Sequence, residues 1–260
     1  MVQRLRIRYA KRGPLRFTSH RDFARAFERA VRRAGVPVAF SQGFTPHPKI
    51  SYASAAPTGV ASEAEYLEIG LQAPVDPGEV RLALDAALSP GLDVIEVVEA
   101  HGGTLADRID ASRWQVELPG VDESALRAAV EAFVAASEVL VERMTKQGMR
   151  TFDARGAVHI ISVRTGPATP TTTDSSAPSE VNTGACAILD LVVRTVSPTV
   201  RPDDVLSGLR VVAALEPPSP PRATRLAQGT VTAAGDLVDP LAADRDGGGK
   251  FSGAPPVEAG

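Results

Sequence analysis

The feature that most constrains the fold is the order in which hydrophobic period changes along the first hundred residues. Arg4-Leu5-Arg6-Ile7-Arg8-Tyr9 alternates basic and apolar side chains. Period two predicts a strand with one buried face and three arginines on the other. After the turn residues Lys11-Arg12-Gly13-Pro14, Phe23, Phe27, Ala30, Val31 and Ala34 recur at helical spacing. Ser19 can cap this helix, with Asp22 completing a variant capping box, and Gly35 fits its end. Val36 to Phe40 and Ile50 to Ala53 are expected as short strands, and Glu65 to Leu71 as a longer alternating one. Pro77 to Leu88 predicts a second helix and Leu92 to Val98 a last strand. Strand, helix, strand, strand, helix, strand is the ferredoxin-like order, an antiparallel sheet with two helices on one face.

The pattern repeats more loosely. Trp114 to Leu118 reads as a strand, Glu123 to Ala135 as an amphipathic helix and Val139 to Met144 as a strand. Ala185 to Val193, Pro202 to Leu209 and Arg222 to Val231 come next as strand, helix and strand. The expected fold is therefore α+β, with two tandem ferredoxin-like (βαββαβ) halves over residues 1–100 and 101–232. Residues 166–184, rich in Thr, Ser and Pro, are expected as a flexible loop. Residues 233–260, rich in Gly, Asp and Pro, are expected as a disordered tail.

Composition removes several chemistries. Cys186 is the one cysteine of 260 residues, so this chain alone offers neither an intrachain disulfide nor the ligands of an iron–sulfur cluster. No apolar run reaches the roughly 18 residues of a membrane span, and no signal-peptide stretch is present. A cytoplasmic protein is expected, with no bound cofactor or metal. No Gly-x-Gly-x-x-Gly or Walker loop occurs. The formal charge of −3 hides an asymmetry: residues 1–50 hold twelve Lys or Arg and two acids, a net of +10, and the remainder carries −13. A basic end on an acidic chain points to a polyanion, nucleic acid first. The competing reading is a solvated arginine face, or pairing between the two halves.

The basic segment leads into Ser41-Gln42-Gly43-Phe44-Thr45-Pro46-His47-Pro48-Lys49. Gly43 permits an unusual backbone angle, and Pro46 and Pro48 stiffen the chain beyond it. Amide, aromatic, hydroxyl, imidazole and ammonium groups therefore share one constrained loop. With cations for phosphate and flat groups for bases, Arg16, Ser19, His20, Arg21, Arg25, Gln42, Gly43, Phe44, Thr45, His47, Lys49 and Tyr52 are the candidate binding residues. Arg6, Arg8, Tyr9 and Phe17 are expected to extend this surface over an open sheet face. Asp153, in the polar stretch Thr151 to Gly156, and Glu63, beside Glu65, are the candidate catalytic carboxylates. His20 and His47 with Glu63 or Asp22 are the remaining candidates for a metal. A structural Asp–Arg pair, strand-edge charges and hydrogen-bonding histidines are the plain readings of the same residues.

Leu15-Arg16-Phe17-Thr18-Ser19-His20-Arg21-Asp22, then Pro37 to Ser51, closely resemble the radical SAM-linked family of unknown function. The stretch Gly59 to Leu71, with Glu63-Ala64-Glu65-Tyr66, continues the likeness, which weakens after about residue 100. Asp153-Ala154-Arg155 looks like a degenerate Asp-x-Arg patch of relatives. In that family the domain occurs alone or fused to the C-terminal side of a radical SAM enzyme. The resemblance implies a radical SAM partner and carries over no catalytic residue; with one cysteine, this chain is not itself the radical enzyme. The expected function is an accessory module that binds RNA or a ribonucleoprotein beside that partner. An RNA-modifying or hydrolytic enzyme, and a protein–protein adaptor, stand as alternatives.

Overall fold

The computed structural model describes residues 1–145, 148–166 and 186–247. The fold is mixed α+β, with mostly antiparallel strand pairing and, among the described residues, five α-helices. Contacts divide the described residues into two units: those within 1–59, 64–108 and 239–247 form unit 1, while those within 60–63 and 109–238 form unit 2.

Unit 1 contains β1 (Gln3–Lys11), α1 (His20–Arg33), β2 (Ile50–Tyr52), β3 (Ala61–Leu71) from Ala64 onward, α2 (Pro77–Ala87) and β4 (Val94–Glu99). The strands lie in the order β4-β1-β3-β2. Leu5, Ile7 and Tyr9 of β1 and Leu67 and Ile69 of β3 pack with Phe23 and Phe27 of α1 and Leu84 of α2. Period-two strands and 3.6-period helices thus bring their apolar positions into one core, each large side chain contributing about 1.5–3 kcal/mol. The Ser19 hydroxyl accepts the Asp22 N–H at 3.2 Å and donates to Asp22 Oδ2 at 2.7 Å, starting α1 where its sequence predicts.

Val36 to Phe40 is not a strand. It makes only isolated bridges, Val38 to Leu71 and Phe40 to Pro48, because Pro37 and Pro48 have no N–H to give a ladder.

Unit 2 contains β5 (Ala111–Pro119), α3 (Glu123–Ala135), β6 (Leu140–Thr145), β7 (Gly148–Asp153), β8 (Val158–Thr165), β9 (Cys186–Arg194), α4 (Pro202–Ala213), β10 (Arg222–Val231) and β11 (Leu237–Val238). Its order is β10-β5-β9-β8, with every pairing antiparallel. β6 and β7 form a separate hairpin, and β11 pairs with β10. Neither β7 nor β8 was expected: Thr151 to Asp153 is the end of a strand, not part of a polar loop. Gly208 lets α4 approach α3, since a Cβ there would lie 2.7 Å from Phe133 Cε2.

The expected tail also differs. After β11 the chain re-enters unit 1 as α5 (Ala242–Gly247), with Leu241 fully buried. The Asp244 carboxylate accepts from Arg6 Nη1 at 2.8 Å, Arg108 Nη1 at 2.8 Å and the His101 N–H at 2.8 Å. Charge pairing across the chain orders a segment whose composition alone does not. Contacts also place residues 101–108 with unit 1. The remainder of the expected tail from residue 248, and the expected loop from residue 167, lie outside the described residues.

Candidate nucleic-acid interface

All twelve residues expected to bind lie in unit 1. The loop between α1 and β2 is closed at its neck. The Ser41 N–H donates to the His47 carbonyl at 2.8 Å, and the His47 N–H donates to Ser41 Oγ at 3.0 Å. One step below, the Lys49 N–H reaches the Ala39 carbonyl at 2.7 Å, and the Ala39 N–H reaches the Gly70 carbonyl at 2.7 Å. The neck is therefore tied to β3, while Gln42, Gly43, Phe44, Thr45 and Pro46 stand in solvent. Gly43 has φ +134°, a conformation side chains rarely adopt. Phe44 is wholly exposed, so it does not cover the core.

α1 presents its arginines on the side opposite Phe23, Phe27 and Ala30. Arg21, Arg25, Arg29, Arg32 and Arg33 are exposed. Arg32 approaches Glu28 at 4.0 Å, and the other four have no carboxylate partner among the described residues. At the start of the helix the His20 ring meets Tyr52 edge-on, with centroids 4.9 Å apart, and Tyr52 meets Phe23 at 6.0 Å. The Tyr52 hydroxyl is buried without a hydrogen-bond partner. Burial, reinforced by the Glu28 charge, holds its pKa far above the ordinary phenol range, so it stays neutral. Arg16 stacks over Phe17 at 4.7 Å from the ring centroid, and Phe17 is itself exposed.

Between α1 and the loop neck lies a groove of about 220 Å³. Its walls are Val31, Val36, Val38, Phe40, Pro48 and Ile50, and Glu28 and Arg32 stand along one side. None of these groove residues was among the expected binding residues. The exposed Phe40 between two prolines is the one local hint in the sequence.

The expected open surface on β1 is corrected, and the candidate carboxylates have the surroundings given below. Arg6 is not on an open surface: it has no exposed area and is held by Glu68 at 3.0 Å and Asp244 at 2.8 Å. Arg8 is half-buried and engaged, and Tyr9 is buried, stacked on Phe23 at 4.3 Å. The sheet face beyond them is covered there by α5, not open. Asp153 spends its carboxylate on the backbone, accepting from Val139 N–H at 2.9 Å, Arg155 N–H at 2.8 Å and Gly156 N–H at 2.9 Å. That is the bonding of a turn-stabilising aspartate. Glu63 is half-buried in β3 and engaged, and Glu65 is buried, accepting the Ala56 N–H at 3.1 Å. Among the described residues no three His, Cys, Asp or Glu side chains are grouped to hold a metal ion. No described helix is long and apolar enough to cross a membrane.

The site thus offers a row of unpaired guanidinium groups, an exposed aromatic loop and an adjoining apolar groove. No curated protein matches the chain. The family match covers residues 4–202, and the chain belongs to the family described as "Uncharacterized protein conserved in bacteria (DUF2344)".

Proposed function

We propose that unit 1 is an RNA-binding module that works beside a separate radical SAM enzyme. The observation that carries the RNA reading is the set of four exposed α1 arginines without an acidic partner among the described residues, together with the exposed rings of Phe44 and Phe17 in the same unit. Guanidinium rows hold phosphates and exposed rings stack bases. The cations of the basic segment that do pair with carboxylates of the remainder are other residues: Arg4 and Arg6 pair with Glu68, and Arg12 with Asp93. The enzymatic partner rests on the resemblance of Leu15 to Asp22 and Pro37 to Ser51.

We read both units as ferredoxin-like halves; the strand orders β4-β1-β3-β2 and β10-β5-β9-β8 support this reading, with the β6–β7 hairpin as an insertion in the second. On this reading the helix side of unit 1, not its sheet face, is the binding surface. The test is crosslinking in cells, followed by recovery of bound RNA with the wild-type chain and an R21A/R25A/K49A variant. Specific RNA recovered only with wild type supports the module and identifies its target. Equal recovery from both removes α1 and the loop as the site.

A further inference from the structure

Resting on the RNA reading of α1, we infer that the groove between α1 and the loop neck is a pocket for one unstacked guanine base of a bound single strand. Size comes first. At about 220 Å³ the groove is smaller than the roughly 300 Å³ at which pockets for drug-sized ligands begin. It suits a single planar ring system. The walls come second: Val31, Val36, Val38 and Ile50 are aliphatic, and Phe40 adds an exposed ring against which a base can stack. Bases taken out of a stack are held this way, between apolar or aromatic side chains, with hydrogen bonds to their Watson–Crick edge.

The polar side of the groove selects among bases. Guanine is the base with two adjacent N–H donors on its Watson–Crick edge, and a carboxylate accepts such a pair through both oxygens. Its other edge carries the O6 and N7 acceptors that arginine reads. Glu28 supplies the carboxylate and Arg32 the guanidinium. Their mutual contact is a single 4.0 Å approach between side chains 38 and 70 per cent exposed, a weak surface pair that both can leave at little cost. Uracil presents one ring N–H between two carbonyls, which would face the Glu28 charge. Charge completes the assignment. Arg25, Arg29 and Arg33 flank Glu28 and Arg32 along α1, so a base in the groove has its own phosphates within the unpaired arginine row.

The experiment is fluorescence anisotropy with two short single-stranded RNAs, an oligouridine and the same strand carrying one guanine, titrated with the full chain and with Glu28→Gln and Phe40→Ala variants. Wild type is expected to bind the guanine strand about tenfold more tightly, within the range one bidentate base contact supplies. In Glu28→Gln the ratio is expected to fall to about one, because the amide nitrogen opposes a guanine N–H while the phosphate contacts remain. Phe40→Ala is expected to weaken the guanine strand more than the oligouridine. Glu28 and Phe40 are partly exposed, so both variants should melt like wild type, which thermal unfolding checks. Equal wild-type affinity for the two strands would overturn the pocket and leave the RNA module standing. A guanine preference that survives both substitutions would place base readout elsewhere and also overturn it. Failure of both strands to bind would remove the module and the pocket together.

Discussion

Asp244 and Arg6 are 238 positions apart and form the most deeply buried ion pair described in unit 1, with both side chains at zero exposure. Removing the carboxylate leaves a guanidinium enclosed with Glu68 and backbone carbonyls. Asp244→Ala is therefore expected to cost about 3 kcal/mol, the low end for breaking a buried pair because Glu68 remains. Urea unfolding measures it, and a loss below about 0.5 kcal/mol, the scale of a surface pair, would show the cluster to be solvated. Asp153 makes a second case. Its three backbone donors lose their acceptor in Asp153→Ala, an expected loss of about 1–3 kcal/mol. RNA recovery should be unchanged; loss of RNA with unchanged stability would instead point to a functional carboxylate. Residue identity alone did not separate these cases. Alternation in Arg4 to Tyr9 marked Leu5 and Ile7 as core, as observed, but it also marked Arg6 as a surface cation. The partner that buries Arg6 lies at the far end of the chain, where no local pattern points to it.

Elements were legible where a strong period met an explicit boundary. Ser19 before His20–Arg33, and Glu123 to Ala135, gave helices at their observed ends, and Arg222 to Val231 gave β10. Legibility failed where a period was absent. Among the described residues β7 pairs only with β6, and the hairpin leaves Leu140, Met144 and Met149 exposed, so β7 carries no sustained apolar alternation. α5 is six residues held by long-range charge pairs, too short for a helical stripe. Two predictions belong at this scale. Ser19→Ala removes the α1 cap and is expected to cost about 1 kcal/mol. As His20 and Arg21 form the first turn, it should also weaken RNA binding by a few-fold, as anisotropy would show. Gly208→Ala pits a helix-propensity gain of about 1 kcal/mol against overpacking on Phe133 of about 1–3 kcal/mol. Net destabilisation in thermal unfolding is expected, and a raised melting temperature would mean α3 and α4 can move apart freely.

For the molecule as a whole, the asymmetry of charge divides into two roles that composition could not separate. Cations in and just after β1, such as Arg4, Arg6 and Arg12, meet carboxylates within unit 1, whereas the α1 arginines meet solvent. That division is what makes α1, rather than the sheet face, the candidate for a polyanion. The most direct test is the salt dependence of single-stranded RNA binding by the wild-type chain and an R21A/R25A/R29A variant. Each phosphate contact to a single strand contributes about 0.7 to the slope of log K against log salt. The variant is expected to bind at least about tenfold more weakly at moderate salt, with a slope shallower by about 2. Unchanged affinity and unchanged slope would contradict the assignment of α1 as the phosphate-binding face.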